Sequence, residues 1–242
     1  MASQKPVEWV SSLIMRFEEQ LPCRTGPQTT HARYNLEQNK DCLIYISHYR
    51  FSLVISGLTK ILQKVNEAVL SSQRPHGPEL DKNYYESLLI VLDTLEKCLS
   101  GQPKDTTRYD EAMNVKLLLR EVCQFIDLPA ENPMVIQLRN LASRVLFALS
   151  VNNFNAVFNR VSARLQELST TNEENPDYAD IELIQHISLD LQRLNKLLNE
   201  TVLKFKSLKK GAHVILMTSL ERAIWNWMDT CISSRVCGTA GG

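Results

Sequence analysis

The chain has 242 residues, 44% hydrophobic and 22% charged, which places it among globular rather than disordered sequences. Lys+Arg and Asp+Glu both number 27, so zero formal net charge removes the global electrostatic case for binding nucleic acid or an acidic membrane. No apolar run approaches bilayer-spanning length, and MASQKPVEWV has no secretory h-region, so the sequence predicts a cytoplasmic protein.

The first helix is expected from Pro6 to about Gln20, with Val7, Val10, Leu13, Ile14, Phe17 and Leu21 as its stripe. Pro22 ends it, and residues 22–33 read as a loop around Gly26 and Pro27. Asn35 with Gln38 resembles a capping box that opens a short helix to about Ile46. A longer helix follows, from about Tyr49 to Val69, with Phe51, Val54, Ile55, Leu58, Ile61, Leu62, Val65 and Val69 as its stripe. Gly57 sits inside it at a cost of about 1 kcal/mol relative to Ala, which close approach of a neighbouring helix would explain.

Residues 71–82 read as a loop, and a helix is expected from about Asn83 to Ser100, closed by Gly101 and Pro103. The next is expected from about Thr107 to Asp127, with Met113, Leu117, Leu118, Val122, Phe125 and Ile126 on its stripe. Asn132-Pro133 then opens a helix leading into the stretch from Leu141 to Leu168. That stretch reads as two amphipathic helices joined at Ser150 and Asn152-Asn153, folded back as an antiparallel hairpin.

Asp177 and Asp180 mark the next helix start, with a break near Ser188. Lys204, Lys206, Lys209 and Lys210 are placed in the last turns of that helix, where cations complement the dipole. The final helix is expected from about Ala212 to Met228 and carries Trp225 and Trp227; residues 229–242 read as a disordered tail. The domain reading is therefore a helical-repeat region over residues 1–228 and a divergent tail over 229–242.

About ten helices, no strand and short connections define an all-α chain. The pairwise spacing suits an α-solenoid of HEAT or armadillo type, with a compact irregular bundle as the alternative. No catalytic, cofactor or metal constellation emerges. His31, His48, His76, His186 and His213 form no HExxH and no Cys/His ligand spacing. There is no GxSxG or phosphate-cradling glycine loop. The six cysteines, Cys23, Cys42, Cys98, Cys123, Cys231 and Cys237, read as reduced core thiols. Two binding features remain. Trp225 and Trp227 form a candidate seam to a partner. Lys204, Lys206, Lys209 and Lys210 form a candidate patch for an anionic partner, set against their reading as a solvated helix end.

Several blocks resemble the neurofibromin family of Ras GTPase-activating proteins: PVEWV near Val7, RFEEQLP ending at Pro22, FSLVISGLTKIL from Phe51, and LDTLEKCLSGQPKDT from Leu92. VLFALSVNNFNAVFNRVSARLQEL from Val145, DIELIQHI from Asp180 and SLERAIWNW ending at Trp227 continue the similarity, which covers about Pro6 to Met228. The resemblance implies the N-terminal part of a HEAT-like scaffold in a negative regulator of Ras signalling. It implies a homodimer in context and contacts with further helical repeats. The family's GTPase-activating domain lies downstream of the matched region, so no catalytic residue carries over and the segment itself is expected not to be an enzyme. After Met228 the sequence departs from the family pattern, as expected of a truncated gene model, a spliced short form or readthrough into non-coding sequence. The alternative from another class is a free-standing helical adaptor that binds a peptide or RNA.

Overall fold

A computed structural model describes residues 5–71, 78–102, 114–126, 133–171 and 178–238. Every regular element among them is a helix: α1 (Lys5–Glu19), α2 (Pro22–Thr25), α3 (Thr30–Ser47), α4 (Phe51–Ser71), α5 (Pro78–Ser100), α6 (Val115–Cys123), α7 (Pro133–Thr170), α8 (Ala179–Glu182), α9 (Leu191–Phe205) and α10 (Lys210–Gly238). A 3₁₀ turn, Leu183–His186, follows α8. The chain divides into two compact units, Met1–Ala148 and Leu149–Gly242, and the boundary falls inside α7.

In the first unit α4 is the hub, touched by α1, α3, α5 and α6. Of its expected stripe, Val54, Ile55, Leu58, Ile61, Leu62 and Val65 are buried and Phe51 is half-buried, while the side chain of Val69 lies outside the described set. The glycine expected to admit a close neighbour does so. A Cβ on Gly57 would lie 2.6 Å from Ile14 Cδ1, so α1 packs directly over that position. Helices α3 and α5 run side by side in the same direction. Lys40 pairs with Asp93 at one level (3.4 Å), and Gln102 Nε2 donates to Ser47 O at a later one (3.3 Å). Asn66 of α4 reaches Glu121 of α6, and Arg144 of α7 reaches Glu96 of α5.

Several boundaries differ from the sequence expectation. The 22–33 loop holds a short helix, α2, closed by Gly26 at φ 73°, ψ −157°, a backbone state that favours glycine. Helix α3 opens at Thr30 rather than Asn35, with Thr29 Oγ1 accepting from Ala32 N (3.3 Å). Its inward positions are Leu36, Lys40, Leu43, Ile46 and Ser47, so two polar residues interrupt the apolar stripe. Helix α5 opens at Pro78, five residues earlier than expected, and α6 is a short helix capped by Asn114 Oδ1 on Leu117 N (2.9 Å). The expected start of α6 at Thr107, and Met113, lie outside the described residues.

The antiparallel hairpin expected at 141–168 is corrected. Helix α7 continues through it, broken only at Asn153 (φ −124°, ψ 37°). One non-helical residue kinks a helix but does not supply the loop that a reversal needs. Helix α7 is also the one described helix long and apolar enough to cross a membrane by length and composition, where the sequence reading expected none.

The second unit shows a regular alternation of directions. The break expected near Ser188 is present, between the 3₁₀ turn and α9. Asp180 meets Arg160 (2.7 Å), and Ser188 N donates to Ser150 Oγ (2.8 Å), so residues 178–190 run back along α7. Helix α9 then runs in the direction of α7: Lys196 bonds Asn155, Ser162 Oγ donates to Glu200 (2.7 Å), and Lys204 bonds Gln166. Helix α10 follows the 178–186 segment, from Gly211 beside Tyr178 to Arg222 and Asn226 on Gln185. It continues to Gly238, so the expected helix end at Met228 and the disordered tail are corrected over residues 229–238. Residues 239–242 lie outside the described set.

Candidate interaction surfaces

The two sequence-predicted features both lie in the second unit. Trp225 is 57% exposed, whereas Trp227 is half-buried. Trp225 shares one face of α10 with Val214, Met217, Met228 and Ile232, all exposed. With Glu221 they recur at intervals of three and four residues, the spacing that elsewhere in the chain puts side chains into the core. The opposite face of the same helix is buried through Ala212, Leu216, Ser219, Leu220 and Ala223. Helix α10 is thus apolar on two sides and covered on one. Helix α9 repeats this more weakly, with Leu191, Leu198 and Val202 outward and Leu197 and Thr201 inward.

The lysine cluster is not one helix end. Helix α9 stops at Phe205, which leaves Lys204 in its last turn and Lys206 as its C-cap. Lys209 lies in the connection and Lys210 is the first residue of α10, where the helix dipole disfavours a cation. Lys204 is engaged with Gln166 of α7. His213 closes the same turn, its ring stacked on Phe205 (4.1 Å) and Nε2 2.6 Å from Phe205 O.

In the first unit two concavities were not anticipated. One is a notch lined by Lys40, Leu89, Ile90, Asp93, Gln137, Asn140, Leu141 and Arg144. Its charges are matched internally: Lys40 to Glu37 and Asp93, Lys97 to Asp93, Arg144 to Glu96. Burial alone would lower the Lys40 pKa, but Glu37 and Asp93 outweigh it and hold the ammonium above the usual lysine value. Such a compensated set is a structural joint between α3, α5 and α7.

The other is a groove of about 520 Å³ between α1 and the end of α3. Val10 and Ile46 form its floor; Trp9, Tyr45 and Tyr49 stand along it, with Asp41, Cys42 and Arg50 at its edges. Tyr45 and Tyr49 lie 5.6 Å apart at 58°. Of the α1 stripe only Val10 reaches this groove; Trp9 lies off that stripe, and the other lining residues come from α3 and the turn after it.

Among the described residues no group of three or more His, Cys, Asp or Glu is placed to hold a metal ion. Of the cysteines expected in the core, Cys98 and Cys123 are buried, but Cys42 and Cys231 are exposed. Cys237 has no described side-chain environment. No family model matches the sequence.

Proposed function

We propose that this chain is a scaffold and dimerisation segment of neurofibromin type, serving a cytoplasmic negative regulator of Ras signalling through protein–protein contacts rather than chemistry of its own. HEAT/armadillo-like stacking is the finer architecture we infer. Its support is that like helices run parallel and adjacent: α3 with α5 in one unit, and α7 with α9 and the 178–186 segment with α10 in the other. GTPase activation is assigned to the family's catalytic domain, for which these residues hold no matching position.

The uncovered face of α10 carries the reading. We assign its occupant as a second copy of the chain, because the stripe complements itself about a two-fold near Ala223. In an antiparallel pair Val214 would meet Ile232, Met217 would meet Met228, and Glu221 would meet Trp225. Sedimentation of the whole chain tests this. Concentration-dependent dimerisation is expected, and Met217→Glu with Trp225→Glu should abolish it while leaving helical content intact. A monomer at roughly 0.1 mM chain, unaffected by these substitutions, overturns it. The chain should also leave the rate of GTP hydrolysis by Ras unchanged; acceleration would refute the assignment of catalysis elsewhere.

A second reading, a helical adaptor for peptides, is favoured by the aromatic groove of the first unit. The RNA form of that reading would need a contiguous basic face. The four clustered lysines are divided between two helix ends.

A further inference from the structure

We propose that the groove between α1 and α3 docks an extended, proline-rich peptide segment carrying a basic residue at one end and an acidic one at the other. The proposal rests on the first unit alone and stands apart from the scaffold reading, which rests on α10.

Exposed aromatic side chains are costly to leave in water unless something covers them. Here Trp9 is 59% exposed and Tyr49 70%, and they share one groove with Tyr45 over an apolar floor of Val10 and Ile46. All three rings carry a donor at their rim. The Trp9 indole N–H has no partner among the described residues, and the two tyrosine hydroxyls approach only each other, at 3.5 Å. Flat apolar faces with donors at their edges suit a polyproline II strand. That conformation leaves its carbonyls free to accept, stacks its pyrrolidine rings on aromatic faces, and loses little entropy on docking. A helical partner arrives with its backbone bonds already made and has no use for these donors.

The groove edges supply polarity and register. Asp41 and Arg50 lie at its rim, both exposed, and neither has an ion pair among the described residues. Asp41 stands one turn before Tyr45 on α3, and Arg50 follows the end of α3 in the turn that leads to α4. Asp41 therefore selects an Arg or Lys at one end of the segment, and Arg50 selects an Asp or Glu at the other.

The test is titration of the 242-residue chain with a synthetic peptide of Arg-Pro-Pro-Pro-Glu core. Binding is followed by the fluorescence anisotropy of a dye on the peptide, which reads every variant, and the Trp9 indole N–H resonance, assigned by its loss in Trp9→Phe, locates it in the unsubstituted chain. Saturable binding is expected. Trp9→Ala and Tyr49→Ala should each weaken it about tenfold, as aromatic anchors do. Asp41→Arg should weaken it by a similar factor and regain it for a peptide whose Arg is replaced by Glu. All three positions are exposed, and circular dichroism confirms that each variant keeps its helices. The proposal is overturned by no saturation at roughly millimolar peptide, or by equal binding of an alanine-based helical peptide with the same charges. It is equally overturned if tetramethylammonium saturates the same resonance while the peptide does not, which would make the groove a cation cage.

Discussion

Arg193 Nη2 donates to the main-chain carbonyl of Val151 at 2.6 Å, across forty-two residues of sequence. The bond exists because α7 is broken at Asn153, which frees carbonyls that the next turn would otherwise satisfy. Arg193 Nη1 reaches Ser150 O (3.4 Å) and Ser188 O (3.0 Å), and Asn153 Nδ2 donates back to Leu149 O (3.3 Å). The guanidinium is held in place by Asp190 (3.2 Å) and by the Phe154 ring, 5.2 Å from its carbon. One forked side chain thus replaces the helix's own missing donors. Arg193→Ala should cost about 2–3 kcal/mol, because it strands partly buried carbonyls. Arg193→Lys should recover less than half of that, since one ammonium cannot reproduce the fork. Urea unfolding reads this as a lowered midpoint at unchanged slope. A loss below about 0.5 kcal/mol in the alanine variant would mean that water serves these carbonyls equally well.

A second polar joint ties α4 to α6. Asn66 Nδ2 donates to Glu121 Oε2 at 2.9 Å, with both side chains buried, and Arg120 and Gln124 fill the remaining acceptor sites (2.7 and 3.3 Å). Asn66→Ala leaves a buried carboxylate short of one donor, and a loss of about 2 kcal/mol is expected. Glu121→Ala should cost about 3 kcal/mol. That is the lower end for breaking a buried pair, because Arg120 is exposed enough to return to water. The double variant should lose less than the sum of the two. Strict additivity in urea unfolding would show that the pair is not coupled.

These joints mark the limit of what local pattern could reveal. Helices α4 and α5 were legible because Val54 to Val65 and Leu88 to Leu99 bury apolar stripes interrupted only by Thr59 and Thr94, whose hydroxyls donate to their own helix. Helix α3 was legible only from Asn35 to about Ile46, and its first turns from Thr30 were not; Lys40 in its core, paired with Asp93 from another helix, weakens the apolar pattern. At 150–153 the polar residues looked like a loop. The partner that makes a kinked helix tolerable there, Arg193, lies in a different helix and leaves no local trace. Of the candidate surfaces, the tryptophan pair of the last helix was legible as one ring inward and one outward, and Trp225 is the exposed one. The Trp9–Tyr49 groove needs α1 and α3 brought together, which no periodicity encodes.

Thiol chemistry separates the cysteines by environment. Burial pushes the Cys98 thiol up to about 11, against a smaller opposing pull from its hydrogen bond with Ser47. At about pH 8 a thiol reagent should modify Cys42 and Cys231 in the native chain and reach Cys98 only on unfolding. The linkage has a definite sign. The folded thiol pKa lies above the ordinary value of 9.0, so its stabilising contribution is complete below pH 9 and is lost as pH rises toward 11. Lys40, also held above its ordinary 10.5, adds a loss beginning in the same alkaline range. Stability should therefore fall above about pH 9, and Cys98→Ala should flatten the first part of that fall. An unchanged slope in the variant would remove Cys98 from the account.

Gly57 and Ile14 set the distance between α4 and α1. A Cβ at Gly57 would meet Ile14 Cδ1 at 2.6 Å and Cγ2 at 3.0 Å, closer than side-chain carbons approach. Two effects of Gly57→Ala oppose each other. Helix propensity favours alanine by about 1 kcal/mol, while overpacking costs typically 1–3 kcal/mol. The contact is with the flexible end of one side chain rather than with backbone, so a net loss of about 1 kcal/mol is expected. Ile14→Val removes Cδ1, the closest atom, and alone should cost about 1 kcal/mol. In that background the clash is relieved and Gly57→Ala should become neutral or stabilising. The cycle should therefore show a coupling of about 1 kcal/mol in favour of the double variant. If Gly57→Ala destabilises equally in both backgrounds, the remaining Cγ2 contact or the helix spacing itself, rather than Cδ1, is what requires glycine at this crossing.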